Sequence, residues 1–423
     1  MQTYLIIIII FDENIIIMSQ GKENKPHIGI YGKRNVGKSS LINFMAGQEI
    51  SIVADFKGTT TDPVKRSFEI TGFGPVILID TAGIDDVGDV GKLRIDKTIA
   101  TIDKIDLGII LINHYQLDEY DEKIIAELKS FDTPFFIING KSDLIKVNTK
   151  IKKELSVKYN AVVLDFSAKN DENPDEILKT IQRLIPDSSW KTNSMIGDIV
   201  CSSDIVLLIT PIDIAAPQGR LILPQVQVIR DILDNDCVAI VLKEKEVEGF
   251  LQKSAIKPKL AITDSQIFSK AAAAIPKEIP LTGFSVILAR HKGDFKNYLK
   301  GTPKLSELKD DDKVLILESC SHHVSCEDIG RVKIPDWLRN FTSKKLDFTV
   351  VSGLDNIPGK ITDYAIVIQC GGCVLTRKQI ISRLKPAVDA GVPVTNYGMT
   401  IAYIQGIYDR AVEPFVKNVN NKN

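Results

Sequence analysis

Gly32-Lys33-Arg34-Asn35-Val36-Gly37-Lys38-Ser39 constrains this chain more than any other stretch. It spells G-x-x-x-x-G-K-S between a short apolar run, Ile28-Gly29-Ile30-Tyr31, and a segment of helical periodicity from Ser40 to Ala46. Strand, glycine turn and helix in that order make a phosphate-binding loop. The glycines let the backbone aim its N–H groups inward, and the helix N-terminus adds to the anion site. Gly32 and the run Asn35, Val36, Gly37, Lys38, Ser39, Ser40 would line it. Lys38 can reach the outer phosphates of a nucleotide, and the Ser39 hydroxyl can ligate Mg²⁺.

A chain of 423 residues is too long for one core and divides into several domains. The net charge of −1 argues against a broad nucleic-acid-binding face. Six cysteines are too few for a disulfide framework, and a nucleotide site implies a reducing cytoplasm. The first 22 residues differ from the rest: Ile6 to Ile10 is a homopolymer, and Ile15-Ile16-Ile17 follows an acidic break. Neither run reaches the ~20 residues of a bilayer span, and neither has signal-peptide flanks. Translation is expected to begin at Met18, with residues 1–22 a disordered or non-native extension.

The phosphate loop is followed by further segments in a fixed order. Gly58-Thr59-Thr60-Thr61-Asp62 is a polar loop in which Thr60 can close over a γ-phosphate and bind Mg²⁺. The strand Val76-Ile77-Leu78-Ile79 ends in Asp80-Thr81-Ala82-Gly83, where Asp80 would hold the metal through water and Gly83 N–H would sense the γ-phosphate. Leu107 to Ile112 and Pro134 to Ile138 read as buried parallel strands. After the second comes Asn139-Gly140-Lys141-Ser142-Asp143, in which Asp143 can accept two hydrogen bonds from guanine. Val162 to Phe166 is another strand, and Ser167-Ala168-Lys169 a base-contacting loop. In order, each at a strand end, these short motifs are specific.

Residues 24–186 resemble the translation-factor-like GTPases of the TrmE/Era type, on the G-T-T-x-D and D-T-A-G motifs. The resemblance implies GTP and Mg²⁺. It also implies K⁺ near Asn35, which stands where potassium-activated members carry an asparagine. Ile84 occupies the place of a water-orienting glutamine, so hydrolysis is expected to be slow or cation-assisted. Asp85, Asp86 and Asp89 read as a solvated acidic loop. The family's N-K-x-D motif is altered: Gly140 takes the asparagine position, and Asn139, one residue early on a strand, points to the other side.

Pro186-Asp187-Ser188-Ser189 closes the first unit with turn residues. Residues 187–260 read strand, loop, helix, strand. The strand is Asp204 to Thr210, the helix Pro224 to Leu233, and the second strand Cys237 to Leu242. Cys201 and Cys237 read as small core residues. So few strands are poorly equipped to stand alone, and a homodimer through this segment is expected.

From 261 onward strands and helices alternate, implying a doubly wound parallel sheet. The expected strands are Ala261–Thr263, Phe284–Leu288, Val314–Leu317, Asp347–Val351 and Tyr364–Ile368. Cys320 lies just past one strand, and Cys370-Gly371-Gly372-Cys373 just past another, opening a helix. Incidental core cysteines, a dithiol redox pair and a metal site all fit, but only the last uses Cys320.

Cys320-Ser321-His322, then 46 residues, then Gln369-Cys370-Gly371-Gly372-Cys373 is similar to the cluster motif of the [FeFe]-hydrogenase maturation GTPases, the HydF family. Ala216-Pro217-Gln218-Gly219-Arg220-Leu221-Ile222-Leu223-Pro224-Gln225-Val226-Gln227 and Val394-Thr395-Asn396-Tyr397-Gly398 resemble that family too. The resemblance implies a GTPase unit (23–186), a small α/β dimerisation unit (187–260) and a unit (261–423) holding a [4Fe-4S] cluster on Cys320, Cys370 and Cys373. It implies a scaffold that takes a diiron precursor from two radical-SAM enzymes and delivers it to the apo-hydrogenase, without nucleic acid or membrane. The setting would be the cytoplasm, or an anaerobic organelle lumen in a eukaryote. Gln369 stands where the family often has histidine, so the fourth iron is open or met by His322, His323 or Cys326. An RNA-acting or ribosome-assembly GTPase and a GTP-regulated dithiol oxidoreductase are the alternatives.

Overall fold

The computed structural model describes residues 25–48, 50–56, 64–70, 73–81, 98–144, 148–169, 175–186, 194–211, 221–319, 328–373 and 375–420. The N-terminal extension, Thr60, Gly83, Ile84, the three aspartates after it, Cys320, His322, His323 and Cys326 lie outside them.

The first sheet has the order β2-β3-β4-β1-β5-β6-β7. Its strands are β1 (His27–Tyr31), β2 (Ile50–Phe56), β3 (Val64–Ile70), β4 (Gly74–Asp80), β5 (Leu107–Asn113), β6 (Phe135–Gly140) and β7 (Val163–Asp165). β2, β3 and β4 pair antiparallel, and the other pairings are parallel. Both faces are buried, which is why β1 and β5 read as unbroken apolar runs. One face packs Ile28, Ile30 and Leu78 on α1 (Lys38–Gln48) and α4 (Asp175–Leu184). The other packs Ile77, Ile110 and Ile137 on α2 (Glu119–Ser130), through Ile124, Ile125 and Leu128. Asp118 starts α2 with a capping box, its carboxylate accepting from Tyr120 N and Asp121 N. The helix α3 (Thr149–Tyr159) is N-capped by Asn148 and ends on Asn160 in the left-handed conformation at φ 53°.

The second sheet, β11-β10-β8-β9, is all parallel and has one more pair of strands than expected. β8 (Ile205–Ile209) is flanked by β9 (Val238–Leu242) and by β10 (Leu260–Thr263), with β11 (Leu281–Gly283) beyond. Ala261–Thr263, expected to open the third unit, thus belongs to the second sheet. Three helices connect these strands: α5 (Leu223–Asp234), α6 (Val247–Ser254) and α7 (Phe268–Ala274). Phe284–Leu288, expected as a strand, lies in the helix α8 (Phe284–Lys292). That helix is buried through most of its length, so its apolar run lacks an amphipathic helical period and reads like a buried strand. Cys237 is buried as expected, its thiol donating to the Cys201 carbonyl at 3.1 Å. Cys201 itself is exposed and is not a core residue.

The third sheet, β13-β12-β14-β15, is parallel too, with β12 (Lys313–Leu317), β13 (Asp347–Val351), β14 (Ile366–Gln369) and β15 (Val394–Asn396). α9 (Phe295–Gly301), α10 (Ile334–Thr342), α11 (Arg377–Asp389), α12 (Tyr397–Ile404) and α13 (Tyr408–Asn420) complete it. One continuous apolar core runs from Val206 and Leu208 through Phe284 and Ile287 of α8 to Ile316 and Ile368. Helix α11 also touches the first unit: Gln379 Nε2 donates to the Lys104 carbonyl at 3.2 Å, and Lys378 Nζ to the Phe131 carbonyl.

Candidate functional site

Two sites take shape, one at the carboxyl ends of the first sheet and one at those of the third. In the first, the chain leaves β1 at Tyr31 and turns through Gly32 at φ 140° and Gly37 at φ 113°. Both are angles that favour glycine. A side chain at 32 would also meet the Leu111 carbonyl at 2.4 Å. Asn35 takes φ 57° at the exposed tip. Lys38 is buried and donates to the carbonyls of Gly32 at 2.6 Å and Lys33 at 2.8 Å, folding over its own loop. Ser39 and Ser40 open α1 and are exposed, while Val36 anchors the loop in the core. Lys33 pairs with Asp118 at 2.6 Å.

Asp80 ends β4, next to β1 in the sheet, with Ile30 and Asp80 in register. Burial pushes its carboxyl up from the ordinary value, and the charges of Lys38 and Arg66 oppose that. Thr81 is fastened beside it, its hydroxyl donating to the Ile30 carbonyl at 2.7 Å. The base-side motifs also converge. The Ser167 hydroxyl donates to Asp143 Oδ1 at 2.8 Å, and Lys169 N donates to Ser167 Oγ at 3.3 Å. Lys141 adopts φ 55°, and Ala168 lies in the same turn as Ser167.

The altered asparagine motif now has a geometry. Asn139 is buried on the far side, its amide donating to Asp165 Oδ1 at 3.1 Å and its oxygen accepting from Tyr115 N at 3.0 Å. At Gly140 a Cβ would stand 2.8 Å from the Val36 carbonyl and 3.2 Å from the Asn113 side-chain amide. Asn113 and the phosphate loop thus occupy the space an asparagine would take. Asn113, opposite Gly140 in the β5–β6 register, is a residue that motif reading missed.

At the third sheet, β12 and β14 are neighbours in register, with Leu317 opposite Gln369. The chain leaving β12 passes through Ser319 towards Cys320, and the chain leaving β14 passes through Cys370 to Cys373. Cys370 Sγ accepts from Ser319 N at 3.1 Å, approaches Ser319 Oγ at 2.7 Å, and is 3.7 Å from Gln369 Nε2. Burial pushes this thiol up, while the Ser319 hydroxyl and the backbone N–H groups of Gly372 and Ser319 hold it down. Gly372 sits at φ 67°, where a side chain would also strike Ile380 at 2.2 Å. Among the described residues no group of three or more His, Cys, Asp or Glu side chains converges on one point. Cys370 and Cys373 are half-buried on one turn, which α11 follows with a capping box between Thr376 and Gln379. Gln369 packs its amide against this turn, and Asn396, in the quoted Val394–Gly398 stretch, donates to the Gln369 carbonyl at 3.1 Å. The sequence reading also missed two buried cations here: Lys292, which bonds the turn after Cys370, and Arg383, which bonds the carbonyl before Ser319.

Among the described residues no helix is long and apolar enough to cross a membrane. Residues 27–141 match the family model of a 50S ribosome-binding GTPase. Residues 195–293 match the Hydrogen maturase F dimerization domain, and residues 296–414 the Hydrogen maturase F tetramerization domain. The tRNA modification GTPase MnmE of Nitrosomonas eutropha is 35% identical over 164 residues, which are 38% of this chain and 34% of that protein. GTPase Der of Clostridium botulinum is 32% identical over 203 residues, 45% of this chain and 46% of that protein. The chain thus spans about a third to a half of the length of the curated relatives it matches. A structure of Aquifex aeolicus Era bound to GDP·AlF4− is 26% identical with a TM-score of 0.33, over 38% of this chain and 57% of that one. A GTPase unit followed in one chain by both of these maturase domains makes this protein a member of the hydrogen maturase F family of GTPases.

Proposed function

We propose that the protein is a GTP-hydrolysing scaffold of [FeFe]-hydrogenase maturation, holding a [4Fe-4S] cluster on Cys320, Cys370 and Cys373 and passing a diiron unit to the apo-hydrogenase. The observation that carries the cluster assignment is the sulfur of Cys370. It sits at the end of β14, beside the strand end that leads to Cys320, and accepts hydrogen bonds from the Ser319 backbone and the Gly372 backbone. Burial pushes this thiol up, and the donors gathered on the sulfur oppose that, favouring the thiolate form that ligates iron. Bound there, the cluster would supply an iron able to take an exchangeable ligand, its fourth position open or met by His322, His323 or Cys326.

In the nucleotide unit, Lys38 would neutralise the outer phosphates, Ser39 and Thr60 would hold Mg²⁺ with Asp80 close by, and Gly83 N–H would read the γ-phosphate. Asp143, held by Ser167, selects guanine over adenine. With Ile84 in place of a water-orienting side chain, hydrolysis is slow, and K⁺ at Asn35 stimulates it. Equal rates in K⁺ and Na⁺ would count against that cation role. Radical-SAM maturases supply the diiron cargo, and the work belongs to a reducing cytoplasm or an anaerobic organelle lumen.

The homodimer forms along β9. This edge strand and its flanking helix α5 leave Leu223, Val226, Leu233, Val238 and Val241 substantially exposed, with Leu221 just ahead of the helix. An apolar edge of this kind is a ready template for a second strand. The working division is a nucleotide unit to Pro186, a dimerising unit closed by β10, β11 and α8, and a cluster unit from α9 onward.

The test is anaerobic reconstitution followed by iron and sulfide assay and electron paramagnetic resonance. Cys320→Ala, Cys370→Ala and Cys373→Ala should each lose the cluster signal while GTP hydrolysis persists, and Cys326→Ala should keep it. A wild-type chain that retains no iron, or a Cys370→Ala variant that retains all of it, would sink the reading.

A further inference from the structure

Two cations are buried at this end of the third sheet, one against the turn after Cys370 and one against the ends of β12 and β13. Lys292, in the last turn of α8, is 4% exposed, and Arg383, in the middle of α11, is 8% exposed. Long charged side chains are rarely buried this far unless their donors are engaged. Lys292 Nζ donates to the carbonyls of Gly372 at 3.2 Å, Cys373 at 3.4 Å and Leu375 at 3.3 Å. One ammonium thereby gathers the whole turn after Cys370. With its carbonyl drawn to Lys292, Gly372 still offers its N–H to the Cys370 sulfur.

Arg383 does the same at the neighbouring strand end. Its Nη1 donates to the Glu318 carbonyl at 2.6 Å and its Nη2 to the Val351 carbonyl at 2.9 Å. Those carbonyls end β12 and β13, and the first lies two residues before Cys320. The Glu318 side chain is engaged elsewhere, pairing with Arg331 at 2.9 Å. Lys292 and Arg383 come from different helices, and each fastens a different turn.

We propose that Lys292 and Arg383 are positioning residues for the cluster ligands. Lys292 sets the Cys370–Cys373 turn, and Arg383 fixes the Glu318 carbonyl just past β12, two residues ahead of Cys320. This rests on the reading of those cysteines as cluster ligands. A second consequence is electrostatic. A thiolate-bound iron–sulfur group is anionic, and its reduction potential follows the charge and hydrogen bonding around it. A cluster held on these cysteines would have two cations nearby, which would favour its reduced form, the one with one more negative charge.

The experiment uses the full chain and separates the two layers. In metal-free protein, iodoacetamide labelling of Cys370 is followed by mass spectrometry, together with hydrogen exchange over residues 370–376. Lys292→Met should raise both rates by at least about fivefold, as local opening becomes easier, while Lys292→Arg should stay near wild type. Arg383→Met should do the same for labelling of Cys320, with Arg383→Lys intermediate. If either methionine variant fails to fold by far-ultraviolet circular dichroism, Lys292→Gln and Arg383→Gln replace them. After anaerobic reconstitution, loss of either charge should lower the cluster's midpoint potential, which a purely structural role would not predict for a folded variant with full iron. Unchanged labelling and exchange in folded Met or Gln variants, with an unchanged potential, would overturn the positioning role. A wild-type protein that takes up no iron would instead overturn the cluster reading, whatever the labelling rates.

Discussion

The Ser167 hydroxyl donates to an Asp143 carboxylate oxygen at 2.8 Å, joining two loops that leave different strands of the same sheet. A hydrogen-bonded carboxylate cannot swing away, so Asp143 presents its acceptors in a fixed direction. Asp143→Asn replaces one acceptor with an N–H donor. Guanine offers donors at N1 and N2, whereas xanthine carries an oxygen in place of the 2-amino group. The variant should therefore lose affinity for GTP and gain it for xanthosine triphosphate, a change in preference of roughly a hundredfold or more. Competition binding with the two nucleotides reads it directly, and an unchanged preference for GTP would remove Asp143 from base selection.

Lys38 closes on its own loop through the Gly32 and Lys33 carbonyls. Lys38→Ala should weaken GTP binding by roughly a hundredfold, the ~3 kcal/mol of a charged contact to phosphate, while the sheet and its helices stay folded. Circular dichroism and isothermal titration together check it. Binding at wild-type strength would contradict the assigned role.

A charged edge should disperse the dimer. Val238 and Val241 on β9 are 49% and 43% exposed. Val238→Lys with Val241→Lys places two ammonium groups on the edge, a device that blocks strand addition. Light scattering should report a smaller assembly for this variant at unchanged far-ultraviolet circular dichroism. A particle of wild-type mass would move the interface elsewhere.

His291, beside Lys292, has its pKa lowered to about 4, first by burial and then by the charges of Lys292, Arg377 and Arg290. A histidine held neutral in the fold binds a proton more readily once unfolded. Its contribution is therefore complete above pH 6.5 and is lost as pH falls towards 4, amounting to about 2 kcal/mol by pH 5. His291→Gln should flatten that part of the stability–pH curve in urea denaturation between pH 7 and pH 5. An equally steep curve in the variant would assign the acid sensitivity to carboxylates instead.

The nucleotide unit was legible because phosphate and base chemistry demand particular residue types at strand ends, and the strand ends could be read from apolar runs. Asn139 shows how far this goes: a one-residue offset correctly predicted a side chain turned away from the loop, here onto Asp165. What replaced it, Asn113 from the adjacent strand, is a tertiary neighbour with no motif of its own. Phe284–Leu288 differs from its expected strand because a helix buried through most of its length loses the amphipathic period that would mark it. Gly283 before it and Arg290-His291-Lys292 at its end were the boundary signals available. The unit boundary placed at 260 fell just before β10, which pairs with β8 and belongs to the second sheet. Lys292 sat in a basic triplet that looks, in one dimension, like a solvated helix end.

Gln379 closes the capping box that starts α11, six residues after Cys373, and the same side chain donates to the Lys104 carbonyl of the nucleotide unit. Lys104 belongs to the short turn Ile102–Lys104, whose first residue follows Thr101, and the Thr101 hydroxyl meets the Tyr31 hydroxyl at 2.9 Å just ahead of the phosphate loop. One amide is thus shared between the two chemical ends of the molecule. Thermodynamic linkage makes any coupling through it symmetric: if occupying the cysteine turn changes the strength of this contact, nucleotide affinity and cluster affinity must change each other by the same factor. Under that condition a binding isotherm at one end would report on the state of the other.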